Sequence, residues 1–152
     1  MILKFNDYLL LESVDVDTIN LLNFIGKDKN VNTYLHTTKE EETAKNILNT
    51  GFQYFDFFKT TDEISLKDKA TLDWNLTMRK PYGNFTIIIQ FNRTYRSNIE
   101  NLSSTKPFKN EDGEAIYTLP KEFIKGYFNR KTAQIVKNPH FNINYKKEEV
   151  FT

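Results

Sequence analysis

The amino-acid sequence predicts an α+β fold whose strands pair mostly antiparallel. Helical patterns dominate the first 30 residues, one strand–helix unit follows, and the later apolar segments are short strands bounded by turn residues. A doubly wound parallel sheet would instead need strands and helices to alternate along the whole chain. The 152 residues suffice for one domain, and 13 Phe and 8 Tyr can fill a core despite a modest 39% apolar content.

Two helices are predicted at the start of the chain. Residues 1–12 place their apolar side chains near one helical face. A second helix is predicted to begin near Asp15 or Asp17 and to end near Gly26.

The next unit is a buried strand, Val31–His36, followed by a helix. Thr38 and Glu41 have the spacing of a capping box, in which a hydroxyl accepts an early helix N–H and a carboxylate reaches back. The predicted inward stripe of this helix is Ala44, Ile47 and Leu48. Gly51 is the predicted end of the helix.

A short strand is predicted over residues 52–58, and another helix after it. Ser65 is the expected N-cap of that helix, which runs to about Met78 before Pro81 forbids its continuation. Its expected inward residues are Leu66, Ala70, Trp74 and Met78.

The most apolar run, Phe85–Phe91, predicts the central strand of a sheet. Residues 97–113 are polar and predict a long loop. Residues 114–119 predict another strand, and a final hairpin is expected from residues 123–128 and 133–136.

Composition excludes several kinds of chemistry. There is no cysteine, so disulfides, thiolate nucleophiles and cysteine zinc sites are excluded, and the two histidines, His36 and His140, cannot build a His-rich metal site. The net charge of +1 gives no global attraction to nucleic acid or membrane. No apolar run is long enough for a membrane span and no secretory signal is recognised, so we expect a soluble intracellular protein.

His36 is the first candidate for chemistry because hydroxyl residues Thr37 and Thr38 and a helix N-terminus follow it. Its ring nitrogens can bond sugar hydroxyls, and a helix N-terminus favours anions such as a diphosphate. The residues alone favour a structural interpretation, in which Thr38 only caps the helix and His36 is a core histidine.

The run from Tyr34 to Thr38, followed by Ala44, Ile47 and Gly51-Phe52, resembles the opening of ADP-ribosyltransferase-like domains. The resemblance implies a mostly antiparallel split sheet over residues 31–138, after a helical segment of residues 1–30 and before a tail of residues 139–152.

The same resemblance implies that NAD is the substrate and that no metal is needed. His36 and the hydroxyls of Thr37 and Thr38 would bind its ribose, although Thr37 stands where the family usually has glycine.

From residue chemistry, Arg79 can pair with diphosphate oxygens, and Tyr82 or Trp74 can stack on nicotinamide. The structural alternatives are a solvated charge for Arg79, turn packing for Tyr82 and a core position for Trp74.

Glu114 opens a predicted strand, as the catalytic glutamate of that family does. Its carboxylate would face the positive charge that develops on the ribose when the bond to nicotinamide breaks. From the residues alone, Glu114 can also be an ordinary exposed charge in an acidic turn.

Residues 1–12 are similar to the head-targeting peptides of internal proteins of T-even-type phages, which are cleaved after a Leu-x-Glu signal, here Leu10-Leu11-Glu12. This implies packaging in the virion, delivery to the host cytoplasm, and a host protein or nucleic acid as the target. The sequence leaves two alternatives open: a non-catalytic binding or inhibitor protein on the same fold, and a transferase that uses NAD to remove an RNA phosphate.

Overall fold

The computed structural model describes residues 18–103 and 106–145. Its helices are α1 (residues 18–25), α2 (Glu41–Thr50), α3 (Phe57–Thr60), α4 (Lys69–Arg79) and α5 (Ile99–Leu102). Its strands are β1 (Val31–Thr38), β2 (Phe52–Tyr54), β3 (Asp62–Glu63), β4 (Phe85–Asn92), β5 (Phe108–Lys109), β6 (Ala115–Leu119), β7 (Ile124–Asn129) and β8 (Gln134–Lys137). Short 3₁₀ helices occupy Lys80–Tyr82, Arg93–Asn98 and Lys121–Phe123.

The strands form two antiparallel sheets. The larger sheet has the order β3-β1-β4-β7-β8 and the smaller has the order β2-β6-β5. The predicted α+β class with antiparallel pairing is therefore confirmed. The predicted central strand is also confirmed, because β4 lies between β1 and β7, and so is the final hairpin, which β7 and β8 form.

Both faces of the larger sheet are covered by other elements. Successive side chains of a strand point to opposite faces, so β4 packs on both sides. Ile87 and Ile89 of β4 pack in a cluster with the apolar stripe of α2 and with residues of the smaller sheet. Ile88 points the other way and packs with Leu21 of α1 and Leu72 of α4. This explains why β4 is an unbroken apolar run rather than an alternating one.

Aromatic rings fill much of the first cluster. Tyr34 stacks on Phe91 with 5.1 Å between ring centroids, and Phe57 meets Tyr34 edge-on at 4.9 Å. Phe52 and Tyr54 of β2 extend the same group. Large aromatic side chains therefore supply the core volume that the low apolar content does not.

The ends of two helices agree with the predicted glycine signals. The N–H of Gly51 donates to the carbonyl of Ile47, and the N–H of Gly26 donates to that of Leu22, both with positive φ at the glycine. Ala44, Ile47 and Leu48 are buried on α2, as predicted. The predicted helix over residues 1–12 and its cleavage signal lie outside the described residues.

The predicted capping box at Thr38 is wrong. β1 continues to Thr38, which pairs with Phe85 of β4, and α2 begins only after Glu40, whose side chain makes no capping hydrogen bond. The acidic residues Glu41 and Glu42 in the first turn instead complement the helix dipole.

The predicted inward face of the fourth helix is also wrong. Asp68, not Ser65, caps α4 by accepting from the N–H of Thr71 at 2.7 Å. Leu72, Asn75 and Leu76 are the buried residues. The residues predicted to face inward, Leu66, Ala70, Trp74 and Met78, are exposed instead.

Two further boundaries differ from the prediction. The strand expected over residues 52–58 ends at Tyr54, because Phe57 begins the short helix α3. Residues 97–113 are not one loop, since Ile99 and Leu102 of α5 are buried anchors and β5 pairs with β6. No helix within the described part of the chain is long and apolar enough to cross a membrane.

Candidate functional site

A cavity of about 200 Å³, here called the His36 cavity, lies beside the end of β1 in the larger sheet. Its lining residues are His36, Thr37, Lys59, Thr60, Asp62, Arg79 and Tyr82. Four of the six predicted site residues, His36, Thr37, Arg79 and Tyr82, therefore lie around one space. They are up to 46 positions apart in sequence, from His36 to Tyr82, so only the fold brings them together.

Three pieces of chain form this cavity. β1 supplies His36 and Thr37, which follow the two residues of β1 that pair with β3. The turn from α3 into β3 supplies Asp62, because β3 pairs with β1 through Leu35 and Asp62. The end of α4 and the 3₁₀ helix after it supply Arg79 and Tyr82.

The imidazole of His36 is fixed by one hydrogen bond and one ring contact. Nδ1 lies 2.7 Å from the carbonyl oxygen of Thr60, and the ring packs on Phe52 with 4.8 Å between centroids. A carbonyl can only accept, so Nδ1 carries the proton and Nε2 of the neutral ring is an acceptor. Burial lowers the pKa of His36 below its ordinary value, which keeps the ring neutral near pH 7.

The guanidinium of Arg79 is already engaged. It donates from Nε to Oδ2 of Asp62 at 2.7 Å and from Nη2 to Oδ1 at 2.5 Å, and this pairing raises the pKa of Arg79 further. The Cζ atom of Arg79 also lies 5.6 Å from the ring centroid of Tyr82. A diphosphate at this position would either share Arg79 with Asp62 or displace Asp62 from it.

The cavity favours a polar ligand with some negative charge. Lys59 and Arg79 carry positive charge, Asp62 carries negative charge, and His36 is neutral, so the lining is positive overall. Thr37 adds a hydroxyl that can donate and accept. A volume of about 200 Å³ is below the ~300–1,000 Å³ common for small-molecule sites, so a dinucleotide would place only part of itself inside.

Thr38 is not among the residues that line the cavity. It is the last residue of β1, and its carbonyl lies directly against the backbone at Gly83. Its predicted role in ribose binding therefore stays a prediction that this cavity does not support.

Glu114 is also outside the cavity lining. It is exposed, precedes β6, and accepts from the side chain of Asn110 at 3.3 Å. Leu119, at the other end of β6, pairs with Phe52, whose ring contacts His36. Five residues of extended chain correspond to about 16 Å, so Glu114 stands well along the strand from that contact.

Sequence reasoning missed three residues of the cavity: Lys59, Thr60 and Asp62. The signal available for them is weak, a short polar run after the aromatic residues 54–58. The pairing of β3 with β1 positions this run, and a strand of two residues is too short to be predicted from alternation.

Comparison of the chain with family models, with curated proteins and with solved structures found no match to any of them.

Proposed function

We propose that this protein is an NAD-dependent ADP-ribosyltransferase in which the His36 cavity takes the nicotinamide-ribose half of NAD. The observation that carries the proposal is the orientation of His36. Its Nδ1–H is committed to the carbonyl of Thr60, so Nε2 is left as an acceptor for a ribose hydroxyl in the cavity that His36 lines.

The size of the cavity supports half of the dinucleotide inside and half outside. The remaining adenosine diphosphate would extend past Arg79, which lines the cavity together with Lys59. Tyr82 is exposed at this edge and offers an aromatic face for stacking.

The proposed reaction breaks the bond between the ribose and nicotinamide. Nicotinamide leaves with the bonding electron pair, a nucleophile of the target bonds to the ribose carbon, and that nucleophile loses a proton. The proposed role of Glu114 is to stabilise the cationic ribose between these events. Because Glu114 lies outside the cavity lining, this role requires its carboxylate to move towards the ribose once NAD is bound. The proposed target is a host protein or nucleic acid.

A second candidate function is a non-catalytic binding or inhibitor protein on the same fold. One observation favours it: the carboxylate inside the cavity, that of Asp62, is occupied by Arg79, and Glu114 lies outside the lining. Such a protein would bind the nucleotide, or a host enzyme, without breaking a bond.

The deciding experiment measures NAD binding by calorimetry and nicotinamide release by chromatography. We compare wild type with His36→Ala and Glu114→Gln. The matched controls are His140→Ala, which removes an exposed imidazole far along the chain, and Glu111→Gln, which removes an exposed carboxylate from the same turn as Glu114. The transferase proposal expects release by wild type and both controls, loss of binding in His36→Ala, and loss of release in Glu114→Gln.

Two other outcomes decide the remaining cases. NAD binding that depends on His36, without nicotinamide release in the presence of host extract, favours the non-catalytic protein. Failure of wild type to bind NAD in calorimetry overturns the proposal that NAD is its ligand.

The proposed source and location rest on the resemblance of residues 1–12 to phage head-targeting peptides. These residues lie outside the described part of the chain. Intact-mass measurement of the protein from virions would show an N-terminus at Ser13, whereas a full-length chain there contradicts packaging by this route.

A further inference from the structure

A second and larger cavity, of about 520 Å³, lies near the start of β1. We call it the basic cavity, because the charged residues of its lining are Lys27, Lys29, Lys67 and Arg93 against Asp28 and Glu63. It shares no lining residue with the His36 cavity. Its volume falls inside the ~300–1,000 Å³ range of small-molecule sites.

The cations of the basic cavity come from three separate segments. Lys27 and Lys29 lie in the loop between α1 and β1, Lys67 lies between β3 and α4, and Arg93 follows β4. Like charges repel, so electrostatics alone would keep these cationic side chains apart. The fold therefore holds these positive charges together around one cavity.

Hydrogen bonds fix the loop that carries the first two lysines. Nζ of Lys67 donates to the carbonyls of Asp28 at 2.9 Å and Val31 at 2.8 Å. The backbone N–H of Arg93 donates to the carbonyl of Asn30 at 2.7 Å. The walls of the basic cavity are thus tied to one another before any ligand arrives.

The two carboxylates of the cavity already have other partners. Asp28 accepts from the backbone of Asn30 at 2.9 Å, and Glu63 accepts from Arg96 and Asn32 at 3.5 and 3.4 Å. Within residues 18–103 and 106–145, no ion pair joins Lys27, Lys29 or Arg93 to a carboxylate. Their positive charge is therefore available to a ligand.

Lys67 offers one donor more. An ammonium group has three N–H donors, and two of them reach the carbonyls of Asp28 and Val31. Burial lowers the pKa of Lys67 and the nearby charge of Asp28 acts in the opposite direction, so the cost of burying the ammonium group is only partly compensated. A bound anion would supply that compensation.

We propose that the basic cavity binds a phosphorylated small molecule of nucleotide size, with its di- or triphosphate between Lys29, Lys67 and Arg93. Arginine pairs with phosphate through two parallel N–H bonds and lysine as a point charge. The convergence of the cations on one cavity favours such a compact ligand over a nucleic-acid strand, which would need cations spaced along a surface. This site does not depend on the proposed transferase function.

The test uses the full chain and calorimetry with two probes, inorganic triphosphate and ATP. The double variant Lys29→Gln/Arg93→Gln is compared with Lys109→Gln/Lys131→Gln, which removes the same charge at exposed positions outside both cavities. We expect the first variant to bind both probes at least roughly tenfold more weakly than wild type, because charge-assisted bonds to phosphate are lost. The second should stay within about twofold of wild type, because distant exposed charges are screened.

Three results would overturn the proposal. The first is that wild type binds neither probe. The second is that the two double variants lose affinity equally, which would show a global charge effect. A single-stranded oligonucleotide could instead bind more tightly than triphosphate and lose its affinity in the same variant, which would identify a nucleic-acid surface. His36→Ala should leave triphosphate binding unchanged, so this test and that of the NAD site can fail separately.

Discussion

Arg79 and Asp62 form a two-pronged ion pair in which each carboxylate oxygen accepts one N–H of the guanidinium, at 2.5 and 2.7 Å. The pair joins the last residue of α4 to the first residue of β3, which are two walls of the His36 cavity. Both side chains are partly exposed, so solvent weakens the contribution of the pair to stability. Its larger effect is on ligands, because Asp62 competes with any anion for Arg79.

Asp62→Asn should therefore raise the affinity of the His36 cavity for NAD. The amide keeps the shape of the side chain but removes the negative charge, which frees Arg79 for the diphosphate. We expect about a threefold to tenfold lower Kd in calorimetry, and a loss of no more than about 1 kcal/mol in the free energy of unfolding. Asp73→Asn removes a carboxylate of α4 that pairs with Lys69 and should not change the Kd. Unchanged or weaker binding in Asp62→Asn would show that Arg79 does not meet the ligand.

His36 should make the stability of the protein depend on pH. Burial lowers its pKa in the folded state below the value of 6.5 that the unfolded chain has. The unfolded state then binds more protons between these two values, so the free energy of unfolding falls as the pH drops through 6.5 and levels off below the folded pKa. The advantage of wild type over His36→Gln in urea unfolding should thus be largest above pH 6.5 and shrink below it.

The same titration should affect ligand binding. Protonated His36 has no acceptor at Nε2, so NAD affinity should fall over the lower part of that range. A stability difference between wild type and His36→Gln that is equal from about pH 8 to about pH 5 would mean that the imidazole does not titrate differently on folding.

Thr37 is one of the residues that line the cavity, and the proposed transferase family usually has glycine at the matching motif position. Thr37→Gly should enlarge the cavity and lower the Kd for NAD about fivefold, which corresponds to about 1 kcal/mol. It should also cost about 1 kcal/mol of stability, because glycine is unfavourable in a strand interior. Thr38→Gly makes the same change one residue later, outside the cavity, and should lose stability without any gain in affinity. Weaker binding in Thr37→Gly would assign the Thr37 hydroxyl a direct role in holding the ligand.

Sequence patterns predicted the buried face of α2 but not that of α4. The helix of residues 69–79 carries two apolar rows at four-residue spacing, Ala70-Trp74-Met78 and Leu72-Leu76. Periodicity cannot choose between two such rows. The fold buries the row that meets Leu21 and Ile88, and the single Trp is left 65% exposed.

The candidate site shows the same limit. His36 and Thr37 could be selected because a motif marks them. Arg79 and Tyr82 could be selected because an arginine can pair with diphosphate oxygens and an aromatic ring can stack on nicotinamide. Asp62 could not, because its position depends on a two-residue strand pairing with β1. The distance from Glu114 to the His36 cavity depends on the register of β6 against β2, which the order of strands along the sequence does not determine.

Gly83 fixes Tyr82 beside the cavity, and its replacement should be costly. Its φ is +135°, a conformation that side chains rarely adopt, and a Cβ there would overlap the carbonyl of Thr38. Gly83→Ala should therefore lower the free energy of unfolding by about 3 kcal/mol or more, from strain together with backbone overlap.

Gly113→Ala is the matched control, because Gly113 also has positive φ, +79°, but open space around the added Cβ. It should cost only about 1 kcal/mol, from backbone strain alone. In urea unfolding, the difference between the two variants measures the overlap at Thr38. Should the two variants lose equal stability, the end of β1 and the turn at Gly83 would not be in the close contact that positions Tyr82.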